Sequence, residues 1–255
     1  MEISSTVKGR YMRFAIISDI HSNLEALYAV ISDISKQKVN TILCLGDVVG
    51  YGPHPKGCLE LVRREASIIL KGNHEDCVCY PEDLDKKLNP LAAEGVRFSI
   101  KRLNNDDVSF LKTLPMTHVY TEYDLSISHG TFTDPDKWNY IESPEDAQRD
   151  LEGITTKICL IGHTHMPFVF GSEQGLYEEL VDNFLLKNEK YLINVGSVGQ
   201  PRDGDCRASY GILDYKDATI TYTLRRIFYN IAKTEGAMKA LRRPLRLSER
   251  LFRGE

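Results

Sequence analysis

Phe14-Ala15-Ile16-Ile17-Ser18-Asp19-Ile20-His21 decides the fold: four apolar residues of strand type run straight into a carboxylate and an imidazole. A short apolar, β-favouring run that ends abruptly in polar groups reads as a buried strand whose carboxyl end faces a site. The unit recurs. Thr41-Ile42-Leu43-Cys44-Leu45 leads into Gly46-Asp47, and Ser67-Ile68-Ile69-Leu70 leads into Lys71-Gly72-Asn73-His74. Leu125-Ser126-Ile127-Ser128 leads into His129-Gly130, and Ile158-Cys159-Leu160-Ile161 into Gly162-His163-Thr164-His165. A sixth run, Tyr191-Leu192-Ile193-Asn194-Val195, leads into Gly196-Ser197.

Between the runs lie helical stretches, 23–36 with Asn23 as N-cap, 54–65, 92–103 and 106–114. Ser143-Pro144 reads as a further N-cap followed by proline at the first helical position. Strand alternating with helix predicts an α/β fold with ligands beyond the carboxyl ends of the strands. Residues 208–215 and 218–224 read as two strands joined by a turn at Lys216-Asp217, expected to form a second, antiparallel sheet. No repeat or low-complexity linker interrupts the chain, so one domain over 12–255 is expected.

Histidine is scarce, seven in 255 residues, yet His21, His74, His129, His163 and His165 all stand immediately after these runs. Any one of them alone would read as a hydrogen-bonded structural histidine. Together with Asp19, Asp47 and Asn73 they make a mixed nitrogen and oxygen donor set, suited to Mn, Fe, Zn, Co or Ni rather than Ca. No cysteine belongs to the set, which argues against a structural zinc site.

Asp19-Ile20-His21, Gly46-Asp47, Gly72-Asn73-His74-Glu75, His129-Gly130 and Gly162-His163-Thr164-His165, in that order, resemble the five signature blocks of the calcineurin-like metallophosphoesterases. The resemblance spans about residues 12–170 and implies a four-layer α/β sandwich, two mixed sheets flanked by helices. It implies two divalent ions, manganese first among the candidates. Asp19, His21, Asp47 and His165 would hold one, and Asp47, Asn73, His129 and His163 the other, with Asp47 bridging. A shared water held in line with phosphorus, a metal-bridging hydroxide, would be the nucleophile. His74 would protonate or stabilise the leaving oxygen. A scaffold of this kind that binds no metal and serves as an interaction module is the alternative from another class.

Gly50-Tyr51-Gly52 follows Asp47 where the protein Ser/Thr phosphatases carry an arginine that grips phosphate, which turns the reading away from protein phosphatase activity and leaves a phosphomonoesterase or protein phosphatase as an alternative. Downstream, 194–203 is similar to a block of the small prokaryotic phosphodiesterase branch, some of whose members resemble diadenosine-tetraphosphate hydrolases. The expected activity is therefore that of a phosphodiesterase or nucleotide pyrophosphohydrolase, with a small phosphorylated substrate. Arg202 in that block is a candidate for bidentate contact with phosphate oxygens. Tyr51 and His54 are placed at the mouth, Tyr51 as a surface for a nucleobase, with plain packing or solvent exposure as the alternative for both. Asn73 and His74 complete the expected substrate contacts. His118 reads as structural, and Trp138 as the anchor or cover of a long polar loop.

Composition sets the frame. At 42% hydrophobic and 27% charged residues the chain is of ordinary globular type. Its apolar runs fall far short of the roughly 20 residues that span a bilayer, so no membrane partner is expected. Met1–Met12 lacks the apolar core of a secretory signal, which makes a cytoplasmic location the default; residues 1–11 read as an upstream extension, a disordered lead or an expression remnant. Six cysteines without paired metal spacing read as reduced core thiols. Residues 225–255 carry nine Lys/Arg against three Glu, a net +6, which leaves −10 on residues 1–224. An acidic body with a basic tail argues against a nucleic-acid partner. The tail, 229–253, reads as two short amphipathic pieces around Gly236 and Pro244, packing on the body or on a second copy of the chain.

Overall fold

A computed structural model describes residues 11–177, 182–217 and 219–255. Except for Tyr11, the expected N-terminal extension lies outside the described residues. Strand β1 (Met12–Ile17) sends Phe14 and Ile16 into one apolar layer and Ala15 and Ile17 into another. A strand covered on both faces needs an unbroken apolar run rather than alternation, which is what the sequence supplies. β2 (Thr41–Cys44) pairs with β1 in parallel, and β3 (Ile68–Ile69) pairs with β2. The crossovers are α1 (Leu24–Ile34), capped by Asn23 Oδ1 accepting from the amide of Ala26, and α2 (Pro55–Glu65), which begins on Pro55.

After β3 come α3 (Asn73–Cys79), α4 (Leu84–Lys87), α5 (Pro90–Ile100) and α6 (Asn105–Thr113). The chain then enters a second sheet through β4 (Thr117–Tyr120) and β5 (Leu125–Ser128). Helix α7 (Pro144–Glu152), capped by Ser143, leads to β6 (Ile158–Ile161). β7 (Phe168–Gly171), β8 (Gly175–Leu176), β9 (Phe184–Leu185) and β10 (Tyr191–Asn194) follow, then the long hairpin of β11 (Ala208–Lys216) and β12 (Thr219–Ile227). Helices α8 (Ile231–Ala240) and α9 (Leu245–Glu249) end the succession, followed by a 3-10 turn over Arg250–Phe252.

The two six-stranded mixed sheets have the orders β3-β2-β1-β11-β12-β9 and β4-β5-β6-β10-β7-β8. Between them lie Phe14, Ile16 and Leu43 from one side and Leu125, Ile127, Leu160 and Ile193 from the other. Helices α1, α2, α5 and α6 cover the outer face of the first sheet, and α7 covers the second through Ala147 and Leu151. This is the expected four-layer sandwich.

One expectation is corrected. The β11–β12 hairpin does not found a separate sheet; β11 pairs antiparallel with β1, from Met12 opposite Tyr215 to Ile16 opposite Gly211. Eight of its nine residues are buried. Such a strand needs cover on both faces, and only an inner position in an existing sheet gives it. The hairpin signature in the sequence specifies a partner for one edge and is silent about the other.

The basic tail packs on the body. Met238, Leu247 and Leu251 form a cluster with Tyr51 and Ala92, and Thr234 Oγ1 donates to Asn23 Oδ1 at 3.0 Å. Pro244 separates the two pieces as expected, but Gly236 sits inside α8. A β-carbon there would meet nothing within 4 Å, so the glycine costs only the roughly 1 kcal/mol of a helix-interior glycine. Among the described residues no helix is long and apolar enough to cross a membrane. Leu247 is fully buried. Leu247→Ala is expected to lower unfolding free energy by about 2–5 kcal/mol, read by urea denaturation at several protein concentrations. An unchanged midpoint would contradict docking of α9 on the body.

Candidate metal centre

The carboxyl ends of β1, β2, β3, β5 and β6 converge where the two sheets meet, and the backbone there leaves the strands through left-handed turns. Asp19, His21, Asp47, His163 and His165 all have φ between 47° and 67°. Non-glycine residues adopt that region at a cost and keep it only when their surroundings over-determine it. Here the turns brace each other. Asp19 N donates to Gly46 O at 3.1 Å, His21 N to Asp47 O at 2.9 Å, and Val198 N to Ser18 O at 2.9 Å.

Seven side chains expected to hold metal are brought together by these turns, all buried. Asp19, His21 and His165 form one cluster, and Asp47, His129 and His163 a second, each with its donor atoms within 4.8 Å of one another. Asn73 joins the second, its Oδ1 lying 3.3 Å from His129 Nε2. Asp47 stands between the two. Its Oδ1 accepts from the amide of His74 at 2.9 Å, which fixes the carboxylate, while Oδ2 lies 3.6 Å from His21 Nε2 and 3.5 Å from His129 Nε2.

The tautomers point the same way. His21 Nδ1 meets Val49 O at 3.2 Å, His129 Nδ1 meets Leu45 O at 3.0 Å, and His165 Nδ1 meets Gln200 O at 2.6 Å. His163 is held from the other side, Nε2 to Trp138 O at 2.9 Å. A carbonyl only accepts, so each of these nitrogens carries the proton and the other ring nitrogen turns a lone pair inward. Backbone carbonyls orient metal-binding histidines in this way.

These lone pairs have too few protons to share. His21 Nε2 and His165 Nε2 face each other at 3.0 Å, and burial, with other histidines or Arg202 nearby, holds both rings below the usual histidine range. Asp19 Oδ1 is buried without a hydrogen-bond donor. Burial would also lower His129, but Asp47 and Asp19 outweigh it and push the ring up to about 9. Two buried carboxylates and a set of inward lone pairs therefore seek positive charge, and divalent cations match that donor set.

Glu75 was given no role by the sequence. Its buried carboxylate accepts from the amides of Asp47 at 2.7 Å, Val49 at 3.1 Å and Gly72 at 2.9 Å, tying the Asp47 turn to the start of α3. Burial and the neighbouring Asp47 push it up to about 7. The available signal was an acidic residue three places after Gly72, the capping-box spacing. Asn194 is similarly structural: its Nδ2 donates to Gly162 O at 2.6 Å and holds the turn that carries His163 and His165.

His74, expected to act on the leaving group, is held differently from the ligand histidines. Nδ1 has no hydrogen-bond partner, and Nε2 lies 4.0 Å from Asp47 Oδ2. Its ring packs at 4.6 Å from His21 and 4.8 Å from Tyr51. Gly50, at φ 100°, makes room: a β-carbon there would lie 2.0 Å from His74 Nδ1. Tyr51 is 5% exposed, its ring packed against His21 and His74 with the Arg202 guanidinium 6.0 Å over its centroid. Arg202 reaches the cleft with Nη2 on Gln200 Oε1 at 3.1 Å. Trp138 contributes its carbonyl to His163, and Tyr140, beside it, stacks on His163 at 4.1 Å. His118 packs on Tyr120, on an edge strand. The cleft measures about 680 Å³ and is lined by His21, Asp47, Asn73, His163 and His165 of the clusters together with flanking residues such as Leu88, Asn89, Lys137 and Trp138.

The chain belongs to the calcineurin-like phosphoesterases, whose family model matches residues 12–195. It is 40% identical over 242 residues to the uncharacterized protein MJ0912 of Methanocaldococcus jannaschii, covering 94% of this chain and 97% of that one. It is similar in structure to a metallophosphoesterase from Sphaerobacter thermophilus, with a TM-score of 0.84, 36% identity, and coverage of 96% and 100%. The hypothetical protein PH1004 of Pyrococcus horikoshii shares the fold, with a TM-score of 0.78 at 16% identity over 96% and 99% of the two chains. Family and clusters together make this a phosphoesterase built to bind divalent metal.

Replacing the Glu75 carboxylate by a carboxamide leaves one oxygen to accept and turns an NH₂ donor toward another donor. Glu75→Gln is expected to cost about 1–3 kcal/mol of stability, measured by urea denaturation without added metal. Unchanged stability would show that the three amide contacts do not hold the turn.

Proposed function

We propose that the chain hydrolyses a small phosphodiester or a nucleotide pyrophosphate with two divalent ions, manganese being the first candidate. Asp19, His21 and His165 would hold one ion, Asn73, His129 and His163 the other, with Asp47 shared. The observation that carries this reading is the single Asp47 Oδ2 lying 3.6 Å and 3.5 Å from a histidine of each cluster. Two ions bound there would supply Lewis acidity, lowering the pKa of water and neutralising charge on the phosphate.

The protein's own groups do the rest. Arg202 offers a guanidinium at the cleft wall for phosphate oxygens, and two parallel N–H donors would fix their orientation. Burial holds His74 below the usual histidine range and so favours the neutral ring. A neutral imidazole acts on a leaving oxygen by donating a hydrogen bond from Nε2, which stabilises the developing charge without an ionised acid. Two features favour a diester over a monoester. Gly50-Tyr51-Gly52 supplies no arginine at the place where the protein phosphatases have one. The cleft, at about 680 Å³, is also lined by residues outside the clusters, Leu88, Asn89 and Ala92 among them, which leaves room for a leaving group beside the phosphate. The similarity of 194–203 to the small prokaryotic phosphodiesterase branch supports the same reading.

Bis-p-nitrophenyl phosphate is expected to be cleaved with Mn²⁺ and to be left intact after chelation, at a rate above that for p-nitrophenyl phosphate; inactivity across Mn, Fe, Zn, Co and Ni would overturn the proposal. His74→Ala should keep its metal and lose about 10²–10⁴ in kcat, whereas equal loss of metal by elemental analysis would make His74 a ligand instead. Asp47→Asn should lower occupancy of both ions. A variant that retains both would refute the shared carboxylate.

A further inference from the structure

Tyr51 is the wall against which His74 rests, and its backbone is strained. At φ 28° it lies at the margin of the left-handed region, where a tyrosine is unfavourable. Strain of this kind persists only under external constraint, and the constraints can be named. Gly50 N donates to Ser99 Oγ at 3.1 Å, and Gly52 N to His21 O at 2.9 Å. Gly95 lets α5 approach: a β-carbon there would lie 2.4 Å from Tyr51 N. The remaining contact comes from the far end of the chain, where Arg243 Nη2 donates to Tyr51 O at 2.8 Å.

Arg243 is an unusual residue to bury. It is 4% exposed, lies between α8 and α9, and its guanidinium sits 4.0 Å over the ring of Phe98 and pairs with Glu94. Its Nε has no partner. A buried guanidinium with an unmet donor is a poor source of stability, since an apolar side chain of similar volume often does as well or better. What only a guanidinium provides here is a fork that can hold Glu94 and the Tyr51 carbonyl at once. The element carrying it lies outside residues 12–195, the span matched by the family model.

We infer that Arg243 is a positioning residue for the reaction: by holding the Tyr51 carbonyl it fixes the ring that confines His74, and so ties the C-terminal helices to the leaving-group side of the cleft. His74 has no ring hydrogen bond of its own, so packing by Tyr51, His21 and the Gly50 turn is what sets its direction. Releasing the carbonyl lets the strained turn relax and the His74 ring gain freedom, while the clusters keep their carbonyl-anchored histidines. The inference rests on the proposed role of His74 for its kinetic consequence, but not for its structural one.

The test uses two readouts on the full-length protein, with Leu247→Ala as a comparison that loosens the same helices and their packing on Tyr51 but leaves the Arg243 contact with the Tyr51 carbonyl in place. The first is the rate at which diethyl pyrocarbonate modifies His74 in metal-free protein, followed by mass spectrometry of the peptide. Arg243→Ala should raise it about tenfold, since local opening governs attack on a buried group, and Leu247→Ala should raise it less than twofold. The second is hydrolysis of bis-p-nitrophenyl phosphate with Mn²⁺. Arg243→Ala should lose about tenfold in kcat with KM and metal content near wild type, as expected for a misplaced catalytic group. Arg243→Lys, which keeps one donor, should fall between wild type and alanine, and it serves alone if the alanine variant does not fold. Equal effects of Arg243→Ala and Leu247→Ala on both readouts, or none from any Arg243 variant, would overturn the inference. Wild-type inactivity would instead count against the proposed function, while the modification rates would still decide the role of Arg243.

Discussion

A single carboxylate organises the molecule. Asp47 Oδ1 is tied to the amide of His74, which leaves Oδ2 facing a histidine from each cluster. That arrangement needs the ends of β2 and β3 in register, which is why the Glu75 carboxylate gathers the amides of Asp47, Val49 and Gly72. It also needs the second sheet to lie close against the first. Asp19 Oδ2 accepts from His163 N at 2.9 Å, and a β-carbon on Gly162 would sit 2.5 Å from that same oxygen. Only a glycine permits the two sheets' turns to meet at this distance.

Electrostatics explains why such a centre is stable only as a partner for cations. Two buried carboxylates and the inward ring nitrogens of His21, His163 and His165, which burial keeps neutral, leave a surplus of acceptors for which folding alone provides too few donors. The protein meets the protonated side of each ring with a backbone carbonyl and leaves the other side for a ligand. His74 stands apart from that scheme, without a carbonyl partner and confined by rings and a glycine. The contrast sets His74 apart from the histidines that backbone carbonyls orient, in keeping with the proposed role.

Much of this was legible in the sequence because the strands are buried on both faces. Such strands read as uniform apolar runs, and the first polar residue after each run marks the carboxyl end, so Asp19, Asp47, Asn73, His129, His163 and His165 stand out in order. Glu75 did not, since the capping-box spacing marks only its contact with the Gly72 amide, while the amides of Asp47 and Val49 lie 28 and 26 residues away in the chain. The placement of β11 was misread for a related reason: a hairpin names its own turn but not the strand its outer edge will join. The role of Arg243 is invisible for the simplest reason, a separation of 192 residues from the carbonyl it holds. Tyr51 lines the cleft, yet its burial could not be read from a loop rich in glycine.

Paramagnetic resonance on the metal-free protein titrated with Mn²⁺ addresses the shared carboxylate most directly. Ions bridged by one carboxylate lie about 3.5–4 Å apart, close enough for their spins to couple. The account predicts that the six-line spectrum of isolated Mn²⁺ gives way to that of a coupled pair as the second equivalent binds. Saturation at one ion per chain, or two ions whose spectra remain those of isolated Mn²⁺, would contradict it.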